Sequence, residues 1–199
     1  MGNYKKYIST MIKELLEKYP YKGIGLTVET LELILGCLLK TKDIDGDVLE
    51  MGCANGETSI CLERIIQLEM PHKKLHLYDS FQGLPEPSQY DGSHFKKGQM
   101  RCSKEDVIRR FDRIPEIHEG WFDRQEYPDD ISFAFLDGDF YESILVSLQK
   151  VYPRLSPGGI ITIHDYTKET LPGVRKACKD FFKNEKLLNL HNLAIYEKN

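Results

Sequence analysis

No stretch of this 199-residue sequence stays apolar over the roughly 20 residues that a membrane-spanning helix needs. The longest apolar run, residues 31–39, is interrupted by Glu32, so no membrane contact is expected. Cysteine is sparse and scattered. The five residues Cys37, Cys53, Cys61, Cys102 and Cys178 form no C-x-x-C pair, which argues against a thiolate zinc site or a disulfide framework and predicts buried thiols. An excess of positive charge is missing as well. With 27 Lys and Arg against 31 Asp and Glu, the formal net charge of -4 provides no field to gather a nucleic-acid backbone, and nucleic acid is not an expected partner. The opening residues Met1 to Lys6 lack the apolar core of a signal peptide, and Lys6 stands where a myristoylation signal has Ser or Thr, so a cytoplasmic location is expected.

What is present fits one globular domain. A hydrophobic fraction of 41% and a charged fraction of 29% can build a core, and neither an internal repeat nor a linker divides residues 1–199. From Tyr4 onward, Tyr7, Ile8, Met11, Ile12, Leu15, Leu16 and Tyr19 recur at steps of three and four, predicting an amphipathic helix ended by Pro20 and Gly23. A second helix is predicted from an N-cap at Thr27 to about Lys40, with Val28, Leu31, Ile34, Leu35 and Leu38 facing inward. These N-terminal helices, residues 1–44, precede a core at 45–199.

In that core strands alternate with helices: strand 47–51, helix 57–69, strand 74–79, a long Gly- and Pro-rich loop at 80–101, and a helix capped by Ser103 with Val107, Ile108 and Phe111 buried. Strands follow at 116–119 and 131–136, then a helix through Leu145, Leu148 and Val151. Pro153, Pro157, Gly158 and Gly159 read as a turn, 160–163 as a strand, 173–183 as a helix, and 187–190 with 193–196 as a hairpin across His191-Asn192. Such alternation predicts a Rossmann-like α/β fold with helices on both faces of a mostly parallel sheet and a C-terminal antiparallel hairpin.

Chemistry concentrates at the strand ends. The first strand runs into Glu50-Met51-Gly52-Cys53-Ala54-Asn55-Gly56-Glu57-Thr58, where glycines let the backbone pass close to a ligand and the helix start offers free N–H groups. This spacing differs from the G-x-G-x-x-G that accommodates a pyrophosphate, which disfavours a nicotinamide dinucleotide. S-adenosylmethionine (SAM) has no phosphate, and an acidic residue before the turn can face its cationic methionine end; a purely structural strand-to-helix turn is the alternative. Asp79 ends the next strand, where α/β nucleotide sites hold ribose hydroxyls. Asp137-Gly138-Asp139 and His164-Asp165-Tyr166 end two later strands. Asp137, His164 and Asp165 together offer two hard oxygens and an imidazole, a set for Mg²⁺, Mn²⁺ or another imidazole-tolerant ion such as Fe²⁺. The alternative is that the aspartates cap helices and His164 is a core histidine. Asp139 is the candidate base for a hydroxyl proton.

Residues 78–85 (Tyr-Asp-Ser-Phe-Gln-Gly-Leu-Pro), Gly120-Trp121-Phe122, residues 136–143 (Leu-Asp-Gly-Asp-Phe-Tyr-Glu-Ser), residues 152–159 (Tyr-Pro-Arg-Leu-Ser-Pro-Gly-Gly) and His164-Asp165-Tyr166 stand in that order. Together they resemble the macrocin O-methyltransferase family over about residues 45–182. The resemblance implies a class I methyltransferase fold with a seven-stranded sheet and a SAM- and metal-dependent activity on a hydroxyl of a small molecule, a sugar or natural-product intermediate. By position it puts Glu50, Gly52, Asn55, Gly56 and Thr58 on the SAM turn, Asp79 and Ser80 on the ribose-binding strand end, and Trp121 near the adenine. Asp137 becomes a metal ligand beside the cofactor and Asp139 the base; residues 1–44, outside the matched span, are expected to form a substrate lid. The family carries two consecutive aspartates where this chain has His164-Asp165, which shifts the expected ion towards Mn²⁺ or Fe²⁺. A metal-independent or N-methylating enzyme and a non-catalytic SAM-binding module are the competing readings, and a homo-oligomer is compatible with any of them.

Overall fold

A computed structural model of the chain describes residues 2–18, 20–23, 25–183 and 185–199, with side chains from residue 10 onward. Tyr19 and the side chains of Tyr4, Tyr7 and Ile8, expected on the inner face of the first helix, lie outside the described residues. The strands are β1 (Asp47–Met51), β2 (Leu75–Asp79), β3 (Glu116–Glu119), β4 (Ile131–Leu136), β5 (Leu155–Ile163), β6 (Leu188–Leu190) and β7 (Leu193–Glu197). The helices are α1 (Gly2–Lys18), α2 (Val28–Lys40), α3 (Glu57–Glu69), α4 (Lys104–Ile108), α5 (Tyr141–Val151) and α6 (Pro172–Phe182). All seven strands join one sheet in the order β3-β2-β1-β4-β5-β7-β6. Neighbours from β3 to β5 run parallel, and β7 runs antiparallel to both β5 and β6.

The sheet is apolar on both faces, and alternate residues enter two cores. Val48, Leu77, Phe133 and Phe135 join Leu31, Ile34, Leu35 and Leu38 of α2 and Leu62, Ile65 and Ile66 of α3. Leu49, Tyr78, Ala134 and Leu136 join Ile144 and Leu148 of α5 and Val174 and Cys178 of α6. The four α2 residues are 0% exposed, and each such side chain contributes roughly 2 kcal/mol on burial. The helix α2 is therefore part of the core, and among the described residues before β1 it is the linker, through Tyr21, Gly23, Gly25 and Leu26, that reaches the cavity described below. No helix among the described residues is long and apolar enough to cross a membrane.

Local chemistry sets most boundaries. Thr27 caps α2 by accepting from the Thr30 N–H, and Ser103 caps α4 by accepting from Asp106. The hairpin turns on His191 (φ 46°) and Asn192 (φ 66°), two left-handed residues as a two-residue type I′ turn requires. Two expectations are corrected. Residues 157–159 form no turn: Gly158 N–H donates to the Lys198 carbonyl at 2.7 Å and Lys198 N–H to that of Gly159 at 3.0 Å, so β5 already starts at Leu155. A register shift against β4, from Ile131↔Leu155 to Phe133↔Ile160, absorbs the extra residues as a bulge. The helix after Ser103 lasts only five residues, because the chain turns away and Arg110 bonds the Asn55 carbonyl and the Glu57 carboxylate.

Below the sheet, at the amino ends of β1 and β4, Lys73 is 2% exposed. Its ammonium donates to the Gly46 carbonyl at 2.9 Å, the Ser132 hydroxyl at 3.0 Å and the Ile44 carbonyl. Replacing Lys73 by Met removes all three bonds and takes its ammonium donor from the Ile44 carbonyl, while the Gly46 carbonyl keeps the Ser132 hydroxyl. Urea titration of Lys73→Met is expected to show a loss of about 2–4 kcal/mol.

Candidate active site

The parallel strands end along one rim, and the order of the sheet turns over between β1 and β4, where an open α/β sheet leaves a crevice. Backbone bonds knit that rim together. Gly52 N–H donates to the Tyr78 carbonyl, Asp137 N–H to Met51, each at 2.8 Å, and His164 N–H to Leu136 at 2.9 Å. Gly52 has a φ of 90°, and a Cβ there would fall 2.1 Å from the Asp137 carbonyl oxygen. The glycine thus clears space for the neighbouring strand end as well as for a ligand. Gly56, the left-handed N-cap of α3 with φ 79°, faces α4, since its Cβ would meet Val107 at 3.2 Å.

A cavity of about 650 Å³ opens at this rim. Its walls include Glu50, Gly52, Asn55, Thr58, Asp79, Ser80, Trp121, Asp137, Asp139, His164 and Asp165, so every candidate site residue but Gly56 borders one space. On the glycine-turn side, the Asp79 carboxylate accepts from Ala54 N–H at 2.9 Å and Phe81 N–H at 2.8 Å, fixing the turn to the end of β2. Burial raises its pKa against these bonds. The Ser80 hydroxyl donates to the Gly83 carbonyl at 2.9 Å and accepts from Gln82 N–H at 3.1 Å, so it shapes the start of the long loop. Glu50 is 1% exposed, and its Oε2 has no hydrogen-bond partner among the described residues. Burial pushes it up to about 8, with Asp137 and Asp79 adding repulsion. A lone buried carboxyl on a cavity wall suits a cationic ligand group.

On the opposite side the acids gather. Ligand atoms of Asp137, His164 and Asp165 all lie within 4.8 Å of one another. His164 Nδ1 is 3.0 Å from Asp137 Oδ1, and its Nε2 is 3.5 Å from Asp165 Oδ1. Asp165 also accepts from Asn192 Nδ2 at 2.8 Å and pairs with Lys168 Nζ at 3.2 Å. Burial lowers the His164 pKa, but Asp137, Asp165 and Asp139 outweigh it and hold the imidazole above its ordinary value. Asp139 moves well above the carboxylate range, through burial first and then repulsion from Asp137 and Asp165. Asp139 and Asp165 both carry left-handed backbones, φ 59° and 57°, a strain that concentrates at functional sites. Two carboxylates and an imidazole so placed can hold a divalent cation.

The cavity also includes side chains that the motif reading passed over: Tyr21 from the interhelical linker, Phe95 and Met100 from the long loop, and Lys168. Only Lys168 left a trace in the sequence, three residues after Asp165. Asn192, read as a turn residue alone, reaches Asp165 across 27 positions.

The chain is similar to known proteins in sequence and in fold. Residues 29–194 match the macrocin-O-methyltransferase (TylF) family. The demethyldecarbamoylnovobiocin O-methyltransferase of Streptomyces niveus is 28% identical over 159 residues, 70% of this chain and 60% of that protein. The chain spans 56–61% of the length of the curated relatives it matches. Among solved structures, the O-methyltransferase NovP superposes with a TM-score of 0.80 at 21% identity, covering 98% of this chain and 99% of that one. MycE, a methyltransferase of the mycinamycin pathway solved with Mg, S-adenosylhomocysteine (SAH) and mycinamycin VI, gives 0.59 at 16%, covering 94% of this chain and 54% of that one. These likenesses show the class I methyltransferase fold, and the match over most of the sequence shows that the chain belongs to the macrocin-O-methyltransferase family.

Proposed function

We propose that the chain is a SAM-dependent O-methyltransferase that acts on a hydroxyl of a small molecule, a sugar or natural-product intermediate, with the help of a divalent metal. One observation carries the proposal: the Asp79-pinned glycine turn and the Asp137, Asp139, Asp165 cluster border a single cavity. The presence of Mg and SAH together in the MycE structure supports it.

In this reading Glu50 faces the cationic methionine end of SAM, Asp79 and Ser80 the ribose, Trp121 the adenine, and Gly52, Asn55, Gly56 and Thr58 shape the turn between them. Asp137, His164 and Asp165 hold the metal, which when bound lowers the pKa of the acceptor hydroxyl. Methyl transfer from a sulfonium then needs an oxygen held in line and a place for its proton. The O–H bond breaks towards Asp139, the oxygen–methyl bond forms, and the sulfur–methyl bond breaks to leave the neutral thioether of SAH. Burial first, and then repulsion from Asp137 and Asp165, raises the proton affinity of Asp139, which makes its ionised form a stronger acceptor for the hydroxyl proton. The linker at 20–26 supplies the lid, since Tyr21 and Leu26 stand on the cavity wall. A metal-independent reaction with His164 as base is the second reading, favoured by the 3.0 Å pairing of His164 with Asp137.

Four outcomes are expected. Asp137→Ala loses transfer to an accepted hydroxyl by about 100-fold or more while SAH affinity by calorimetry stays within about threefold. Chelation silences the wild type and Mn²⁺ or Mg²⁺ restores it; activity indifferent to a chelator would favour the His164 reading. Asp79→Ala weakens SAM binding by about 1–3 kcal/mol, since it removes charged hydrogen bonds, and an unchanged dissociation constant would take Asp79 out of the site. For Glu50, the folded chain gives up the proton near pH 8 and the unfolded chain near the ordinary 4.5. The unfolded state therefore sheds its proton first as pH rises. Wild type without ligand should lose stability relative to Glu50→Gln from about pH 4.5 upward, levelling off above about pH 8, with a total difference of roughly 3–6 kcal/mol. Parallel pH profiles of the two melting temperatures would contradict this.

A further inference from the structure

The long loop closes on itself at its base, where Leu84 N–H donates to the Gln99 carbonyl at 2.8 Å and Gly98 N–H to that of Leu84 at 2.9 Å. Leu84, Pro85, Phe95 and Met100 bring it to the cavity wall. At its far corner one side chain ties the loop to a distant backbone group. Asp91 Oδ2 accepts from the Ser88 N–H at 2.8 Å and the Ser88 hydroxyl at 2.7 Å, which shapes the corner. Asp91 Oδ1 accepts from the Tyr141 N–H at 2.7 Å, across 50 positions. Tyr141 is the first residue of α5, and Phe140 before it has no side chain able to cap the helix. Asp91 is the cap, supplied from another part of the chain, and its charge lies at the positive end of the helix dipole.

The surroundings are cut to fit. A Cβ on Gly173 of α6 would lie 1.9 Å from Asp91 Oδ1, and one on Gly92 would lie 2.5 Å from the Thr170 carbonyl oxygen. The Tyr90 ring meets that of Tyr141 at 4.5 Å between centroids, with the Lys176 ammonium 5.0 Å above Tyr90. The backbone group that Asp91 holds stands two residues after Asp139, whose left-handed φ of 59° needs support from its neighbours.

We propose that Asp91 is a positioning residue: it seats the acceptor-facing loop against the start of α5 and so keeps that wall of the cavity in register with the turn that carries Asp139. Its kinetic role rests on the function proposed above; its seating role does not.

The test compares wild type, Asp91→Ala and the isosteric Asp91→Asn, which keeps an amide oxygen for Tyr141 and carries the test if the alanine variant does not fold. Trypsin cleavage after the exposed Lys96, Lys97 and Arg101 is expected to quicken by about tenfold in Asp91→Ala and by less in Asp91→Asn. The Tyr141 amide should exchange faster in the same order, while SAH affinity stays within about twofold. With an accepted hydroxyl substrate, the acceptor KM should rise about tenfold and the SAM KM should not move. Cleavage and exchange equal to wild type, or an equal rise in both KM values, would overturn the assignment. A wild type that shields its loop yet methylates no hydroxyl would sink the proposed function and leave the seating standing.

Discussion

The backbone contact between Gly52 and Asp137 is the constraint on which the site depends. Two parallel strand ends normally diverge into separate loops, each with its own side chains between them. Here residue 52 has no Cβ, so the Asp137 carbonyl can occupy the position where one would be. Asp137 N–H bonds the Met51 carbonyl directly beside it. The glycine turn and the first residue of the acid cluster are thus held to one another by main chain alone, without a side chain that could relax. Any larger residue at 52 would have to separate β1 from β4, and the cavity between their loops would lose its floor.

That fixed floor also explains how so much negative charge can collect beside it. Glu50, Asp79, Asp137, Asp139 and Asp165 all face one cavity, and for Glu50, Asp79 and Asp139 burial or mutual repulsion favours the protonated form. Of the basic groups on the cavity wall, His164 and Lys168 both pair with Asp165, and His164 also pairs with Asp137. They offset the far side of the cavity only. The glycine-turn side keeps Glu50 Oε2 without a partner among the described residues, and Asp79 with backbone donors. In the function proposed above, a cationic ligand group would relieve the turn side and a divalent ion between the aspartates the other, both by the same electrostatic means.

Much of this was legible in the sequence, and the reason is local. Strand and helix limits such as Asp47–Met51, Glu57–Glu69 and Glu116–Glu119 follow from periodicity, glycine and capping residues, all of which act within a few positions. Strand ends of a parallel sheet must share a rim, so Asp79, Asp137 and Asp165 could be brought together from topology alone. What escaped were features set by partners distant in sequence. The Pro157-Gly158-Gly159 stretch looks like a turn until Lys198 pairs with it. The amphipathic pattern after Ser103 suggests a longer helix, but Arg110 is drawn to Asn55 and Glu57, more than fifty positions earlier.

The site follows the same division. Residues in the strand-end motifs could be named because the fold fixes where those ends lie, whereas Asn192, Lys168 and Asp91 act on groups already in place. Asn192 accepts from the Thr167 N–H and hydroxyl through Oδ1 and donates to Asp165 through Nδ2, so the tip of the C-terminal hairpin orients a carboxylate of the acid cluster. Asp91 does the equivalent for the turn after Asp139. In each case a polar side chain from a loop satisfies a group that the strand end leaves exposed, and the left-handed backbones at Asp139 and Asp165 occur at the two places so supported. Strain of that kind persists only where neighbouring structure over-determines it. The loops that surround the cavity therefore have a mechanical task besides forming its wall: they hold two aspartates in conformations the strand ends alone would not keep.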